Sequence, residues 1–214
     1  MNLNQQTLLF DLDGTLSDPL LGFAKSVNIA LQAHDLASLP ECDLAQYIGP
    51  PLDGTLRRIT GRDDPAFIAS LVAKYREYYL DTGFREARLY SGVAEALAEL
   101  QRGGHRLAVC TSKPEPSARL VLEHFGLLPY FEFVSGGDVG VAKWQQIEQL
   151  LADKIITASA LMIGDRAVDL QAGHRNGISS AGVLWGYGSL AELQAEAPAH
   201  FFEHPDDWLT FQNV

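Results

Sequence analysis

Leu8-Leu9-Phe10-Asp11-Leu12-Asp13-Gly14-Thr15 is the stretch whose reading decides the fold. An apolar run of this length that stops at charged residues predicts a strand buried on both faces, as in a parallel sheet. Its carboxyl end then delivers Asp11 and Asp13 to the edge where open α/β sheets place their ligands. Side chains alternate along a strand, so Asp11 and Asp13 share one side while Leu12 points away, and Gly14 permits a sharp turn beside them. Two carboxylates held so close resist joint ionisation, and the pattern asks for a divalent cation or for split acid and base roles. A plain Asp-Gly turn closing a strand also fits this short string, so the rest of the chain has to decide.

Downstream the periodicity becomes helical. Leu20, Phe23, Ala24, Val27, Ala30 and Leu31 recur every three or four residues, and further helices are expected over 52–59 and 66–80. No strand is expected between 17 and 85. A helical block of that length is too long for one crossover between parallel strands and reads as an inserted all-helical cap over 17–85. Its break at Ile48-Gly49-Pro50-Pro51-Leu52 is the candidate contact loop, stiffened by Pro50 and Pro51 and able to approach closely at Gly49. From Tyr90 the pattern alternates: helix 93–102, strand 107–110, helix 116–124, strand 131–134, helix 143–151, strand 160–163, helix 167–177, strand 181–184 and a short helical end. The fold class is therefore α/β, a doubly wound parallel sheet core over 1–16 and 86–214 carrying the helical cap.

Three further places carry chemistry. The strand over 107–110 runs into Thr111-Ser112-Lys113-Pro114, where a hydroxyl and free N–H groups at the mouth of a helix can hold a phosphate oxygen or simply cap that helix. Lys143 opens a helix, an awkward place for a cation unless an anion lies nearby, although a solvated surface lysine is the commoner case. The strand over 161–163 runs into Gly164-Asp165-Arg166-Ala167-Val168-Asp169, again with acids at a strand end and in the first helical turn. Helix-start acids complement the dipole without any function, but four chemical residue sets at successive strand ends are hard to obtain by accident.

Composition bounds the answer. With 214 residues, 47% of them hydrophobic, the chain can bury a sizeable core. A formal charge of -11 argues against nucleic acid polymers and anionic membranes as partners, while leaving a small phosphorylated metabolite open. No basic leader precedes the first strand and no run is long enough to span a bilayer, so a cytoplasmic protein is expected. Cys42 and Cys110 lack metal-ligand spacing and read as reduced thiols, Cys110 as a small core residue. His34, His105, His124, His174, His200 and His204 form no ligand pattern. Arg57, Arg58, Lys74 and Arg76 read as solvated cap charges, and Tyr75, Tyr78 and Tyr79 as cap packing.

Asp-x-Asp-Gly-Thr after a strand, Thr111, Lys143 and Gly-Asp-x-x-x-Asp together resemble the haloacid dehalogenase superfamily, in particular its phosphoglycolate phosphatase-like and 5'-nucleotidase-like branch with a helical cap. The resemblance covers nearly the whole chain, including Ile48 to Leu52 and Gly182-Val183-Leu184-Trp185-Gly186-Tyr187-Gly188. The loop 136–141 before Lys143 is short for that branch. The resemblance implies that Asp11 is a nucleophile and Asp13 a general acid/base, with Thr111, Ser112 and Lys143 on the phosphoryl group. It also implies that Asp11, Asp165 and the backbone carbonyl of Asp13 hold Mg²⁺, with Asp169 in support, in a monomer or homodimer that hydrolyses small phosphomonoesters. Phosphoryl transfer needs an in-line nucleophile, neutralised equatorial oxygens and a proton for the leaving alkoxide, and these residue types supply all three. Two alternatives share the pattern in part. A phosphomutase would use the same core under a tighter cap, and a receiver-type signalling module would carry its phospho-acceptor on a different strand from its acid pair.

Overall fold

The computed structural model describes residues 6–137 and 140–210. Residues 1–5, which bear on the reading of the leader, and Asp138 and Val139 of the loop before Lys143 lie outside them. The elements that carry the core are β1 (Thr7–Phe10), α5 (Val93–Arg102), β4 (Arg106–Pro114), α6 (Glu115–His124), β5 (Phe133–Gly137), α7 (Lys143–Ala152), β6 (Leu161–Gly164), α8 (Ala167–Arg175), β7 (Ser179–Val183), α9 (Leu190–Ala195) and β8 (His200–Phe202). Between β1 and α5 lie β2 (Ser17–Asp18), α1 (Leu20–Gln32), α2 (Glu41–Leu44), α3 (Leu52–Thr60), α4 (Pro65–Asp81) and β3 (Arg88–Leu89).

The six-stranded sheet runs β5-β4-β1-β6-β7-β8, with every pair parallel. β1 is central, and its residues are buried throughout. Leu8 and Phe10 join Leu107, Val109 and Ile163 in one apolar cluster, while Leu9 joins Ala108, Met162, Ile147 and Ile178 in another. That alternation is why the strand has no polar face: each side is covered by a helical layer. The chain order reverses across β1, between β4 and β6, so the carboxyl ends of these three strands open on a crevice where the helices diverge.

Local sequence explains the helical insertion. Asp64 accepts a hydrogen bond from the N–H of Phe67 at 2.7 Å and Pro65 starts α4, a capped entry. Gly61, at φ +66°, ends α3 in the left-handed conformation that halts a helix. Two details differ from the sequence expectation. Ser17–Asp18 pairs antiparallel with Arg88–Leu89, so the chain leaves and re-enters the sheet region through a two-residue ribbon where no strand was expected. The ribbon is too short to show alternation. After α9, the short helix expected near the end of the chain, His200–Phe202 adds an unexpected sixth parallel strand on β7, followed by a 3-10 turn over Pro205–Leu209 that buries Trp208. β5 begins at Phe133 rather than 131, because Leu128–Tyr130 forms a 3-10 turn. No helix of the described residues is long and apolar enough to cross a membrane.

Candidate active site

Asp11 follows β1 directly, and its N–H still donates to the carbonyl of Ile163 at 2.9 Å, which pins it between β1 and β6. Asp165 follows β6, and Asp169 sits one turn into α8, where its carboxylate accepts from the N–H of Arg166 at 3.0 Å. All three carboxylates are buried, and one oxygen from each lies within 4.8 Å of the others. Lys143 is not a surface lysine. It is 1% exposed, its Nζ lies 2.9 Å from Asp11 Oδ1, and it hydrogen-bonds Asp169. The ion pair with Asp11 is off the hydrogen-bonding direction, so buried Asp11 Oδ1 has no hydrogen-bond donor of its own.

The electrostatics call for more positive charge than the chain supplies. One ammonium faces three buried acids, and ionising all three would leave two negative charges, the number a divalent cation balances. Burial first, and then Asp169 and Asp11, hold the Asp165 carboxyl well above the usual carboxylate range. Burial also lifts Asp169 to about 6, against the opposing pull of Lys143. For Lys143 burial acts downward, but Asp11 and Asp169 outweigh it and hold the ammonium above its ordinary value. An all-oxygen set with an orphaned lone pair suits a hard divalent ion such as magnesium. Among the described residues, no group containing His or Cys gathers in this way.

Asp165 is held by its surroundings. Thr15 Oγ1 donates to it at 3.3 Å and the N–H of Tyr187 at 2.8 Å. Gly14, at φ +89°, and Gly186 let two loops close on it: a Cβ on Gly14 would lie 2.2 Å from Asp165 Oδ2, and one on Gly186 2.2 Å from Asp165 Cβ. Tyr187 also hydrogen-bonds Asp18 through its hydroxyl, tying this loop to the ribbon.

Asp13 stands apart from the carboxylate cluster. Its Oδ2 lies 2.7 Å and its Oδ1 2.8 Å from Lys113 Nζ, so its side chain takes no part in the group of three. Burial raises the Asp13 carboxyl above its ordinary value, with Lys113 opposing. Thr111 and Ser112 face the same cleft. Neither caps a helix: β4 continues through 114, and Pro114 occupies the position before α6. Gln146, three residues after Lys143, donates to the Thr111 carbonyl at 3.2 Å and so fixes this strand end to α7.

The other wall of the cleft is apolar. Phe23, Tyr47, Ile48, Leu52, Val72 and Tyr75 face it, together with Gly49, Pro50 and Pro51. Arg166, beside Asp165, donates to the carbonyls of Ile48 and, at 3.5 Å, Gln46, while Glu192 steadies its Nε at 2.9 Å. Arg57 is engaged by Asp53 and Asp63, and Lys74 by Glu77, as expected of solvated cap charges; Arg76 alone of those cations faces the cleft.

Sequence reasoning missed Lys113 and Tyr79. Lys113 stood in a quoted motif without a role, and Tyr79 was assigned to packing, yet its hydroxyl lies 2.5 Å from Lys113 Nζ. The missing signal was spatial: 34 residues separate them, and only the fold brings α4 over the end of β4. Thr15, Arg166 and Tyr187 likewise lie within recognised motifs, but the side-chain contacts of Thr15 and Arg166 and the Tyr187 N–H contact to Asp165 span at least 22 residues.

Comparison with known proteins agrees with this architecture. Residues 8–183 match the haloacid dehalogenase-like hydrolase family model. A 5'-nucleotidase of Pseudomonas aeruginosa is 38% identical over 93% of this chain and 91% of its own. The tyrosine-protein kinase PtkA of Mycobacterium tuberculosis is 39% identical over 86% of this chain but 63% of its own length. A phosphoglycolate phosphatase of Rhodospirillum rubrum is 32% identical over 96% and 91%. The crystal structure of a predicted phosphatase from Clostridium acetobutylicum superposes with a TM-score of 0.89 at 31% identity, covering 95% of both chains. With its sheet order, its strand-end carboxylates and this match over most of its length, the chain belongs to the haloacid dehalogenase-like hydrolase family.

Proposed function

We propose that this hydrolase is a magnesium-dependent phosphatase that releases phosphate from small phosphomonoesters, of the phosphoglycolate or nucleoside 5'-monophosphate kind, through an aspartyl-phosphate on Asp11. The observation that carries this reading is the orphaned Asp11 oxygen beside a buried set of acids that one lysine leaves undercompensated. Asp11, Asp165 and the Asp13 backbone carbonyl would hold the ion, with Asp169 steadying Lys143. When bound, magnesium supplies the charge that lets an anionic nucleophile and a phosphate dianion approach each other.

The chain's own groups do the rest. A free Asp11 oxygen attacks phosphorus in line as the P–O bond to the leaving group breaks, and Asp13 gives its proton to the departing alkoxide. Asp13 then takes a proton from the water that attacks the aspartyl-phosphate, which returns Asp11 and frees phosphate. Lys143, Thr111 and Ser112 offer an ammonium and hydroxyls to the equatorial oxygens, where charge spreads in the transition state. The raised pKa of Asp13 favours the proton-bearing form that donation requires.

Residues 17–85 act as a cap in this reading, and the 48–52 loop meets the leaving group. The net charge of -11 supports a small-molecule substrate over a nucleic acid polymer, and the free thiols of Cys42 and Cys110 support a cytoplasmic setting. The test is phosphate release from phosphoglycolate and from a nucleoside 5'-monophosphate. Turnover should vanish after exhaustive EDTA treatment and return with Mg²⁺; full activity in EDTA would overturn the assignment. The same assay separates hydrolysis from transfer, because a mutase or kinase passes the phosphoryl group on instead of freeing it.

A further inference from the structure

We infer that Tyr79 is a positioning residue for Asp13: acting through Lys113, this hydroxyl on α4 fixes the direction in which the Asp13 carboxylate meets the cleft. The inference rests on the acid/base reading of Asp13 and names what aligns it.

Lys113 Nζ is 2.7 Å from Asp13 Oδ2, 2.8 Å from Asp13 Oδ1 and 2.5 Å from the Tyr79 hydroxyl oxygen. The ammonium donates to Asp13 Oδ1 and to the Tyr79 hydroxyl, while Asp13 Oδ2 completes the ion pair, so the hydroxyl takes one of the three N–H groups that fix the tip. The contact is sheltered, since the Lys113 side chain is 9% exposed. At its base the lysine is set by its own N–H, which donates to Thr111 Oγ1 at 3.3 Å. Beyond that the side chain is a flexible four-carbon stem with a point charge at its tip, and a point charge attracts a carboxylate without choosing its direction. The hydroxyl supplies that choice by fixing where the tip lies.

Tyr79 can do this because it is itself immobilised. It is buried and stacks on Tyr75 with ring centroids 5.4 Å apart and planes inclined by 13°, and Tyr75 meets Phe23 of α1 edge-on at 6.0 Å. A continuous set of contacts therefore runs from α1 through α4 to the end of β4 and onto Asp13. A general acid has to lie within hydrogen-bond reach of the oxygen it protonates, and a misplacement of about 1 Å can cost about a hundredfold in rate. Seating α4 on the cleft and aiming Asp13 are thus one event.

Tyr79→Phe removes the hydroxyl and keeps both the stack and the ring beside Lys113 Nζ, 4.7 Å from its centroid. The readouts are kcat and KM on adenosine 5'-monophosphate, whose alkoxide needs a proton, and on p-nitrophenyl phosphate, whose leaving group does not. We expect kcat on the nucleotide to fall about tenfold further than kcat on the aryl ester, with the loss in kcat rather than KM. Tyr78→Phe, the neighbouring position on α4, whose hydroxyl donates to Glu86 instead, should keep the parental ratio. Adding Tyr79→Phe to Lys113→Met should cause no further change in that ratio, since the hydroxyl acts through the lysine. Equal losses on both esters, a change in KM alone, no change, or additivity in the double variant each overturns the inference. Asp13→Asn run in parallel separates the two levels. If it fails to move the ratio, the acid/base reading falls and the inference with it; if it moves the ratio and Tyr79→Phe does not, the role of Tyr79 alone falls.

Discussion

The two walls of the cleft are built on opposite principles. On the sheet side, Asp11, Asp165, Asp169 and Lys143 are all buried charges, each restrained by a strand end, a helix start or a loop closed by glycine. On the side of α1, α4 and the 48–52 loop, the surface is mainly aromatic and aliphatic and shares one buried apolar cluster with the sheet, with long-range polar ties such as Arg166 to the Ile48 carbonyl and Lys113 to Tyr79. Buried charge tolerates little displacement, because every ångström of misplacement exposes an uncompensated group. An apolar wall has no such demand and can vary in shape at small energetic cost. On the proposed function, this difference assigns the reaction to the first wall and selection of the leaving group to the second.

A pair of glycines gives the largest expected break in that comparison. A Cβ on Gly186 would lie 2.2 Å from Asp165 Cβ and 2.5 Å from the Gly14 carbonyl oxygen, and backbone cannot move aside as a flexible side chain would. Gly186→Ala should therefore displace Asp165 and cost about 10–100-fold in activity and magnesium affinity, as loss of a metal-supporting contact does. Gly54, within α3, has no neighbour within 4 Å of its would-be Cβ. There the same substitution should raise stability by about 0.5–1 kcal/mol through helix propensity. Isothermal titration with Mg²⁺, phosphate release and thermal unfolding of both variants check the contrast. A Gly186→Ala enzyme with parental magnesium affinity would show that the sheet wall is more forgiving than its packing says.

The same contrast explains what was legible in the sequence. The sheet wall is local: Asp11 and Asp13 are two residues apart, and Asp165 and Asp169 are four apart at a strand-to-helix junction, so strand period and motif spacing were enough to find them. The parallel core followed from the same alternation, with β1 as its centre. Lys143 was legible as an anomaly, a cation at a positive helix end, and the buried carboxylates resolve it. What failed to show was short or long-range. The Ser17–Asp18 ribbon offers too few residues for a period, and His200–Phe202 becomes a strand only because β7 presents an edge for it. Tyr79 has the spacing of a packing residue, and its stacking on Tyr75 agrees; nothing in α4 alone reveals that its hydroxyl meets Lys113.

The next effect sits on the border between the walls and is read as pH dependence. Burial raises the Asp13 carboxyl, and Lys113 partly reverses this by favouring the charged form. Removing that ammonium leaves burial less opposed, so the Asp13 pKa climbs further and the proton needed by the leaving group is retained to higher pH. Lys113→Met should therefore move the alkaline limb of the kcat profile upward on an alkyl phosphate, while lowering kcat on the plateau through lost alignment. A limb that stays in place or moves down would mean that the lysine charge is not felt at Asp13 during turnover.

The smallest expected effect belongs wholly to the apolar wall, and it tests whether selection resides there. Gly49 holds φ +109°, which lets the chain turn into Pro50 and Pro51, and Arg166 grips the Ile48 carbonyl just before that turn. The loop is thus fixed at one end by a hydrogen bond from the sheet side and stiffened along its length by two pyrrolidine rings. Replacing Pro50 and Pro51 with Gly leaves the grip of Arg166 but returns backbone freedom, at about 0.4–1 kcal/mol for each position. Neither proline belongs to the group of three carboxylates, so magnesium dependence should persist. What should change is discrimination. A hydrophobic pocket separates substrates by about 1–3 kcal/mol per methylene-sized difference, and a loosened wall forfeits part of that. The kcat/KM values for phosphoglycolate, sugar phosphates and nucleoside 5'-monophosphates should converge by severalfold and change rank, with p-nitrophenyl phosphate as the reference. A panel unchanged in rank would move selection from the 48–52 loop to α4, where Arg76 is the cation facing the cleft.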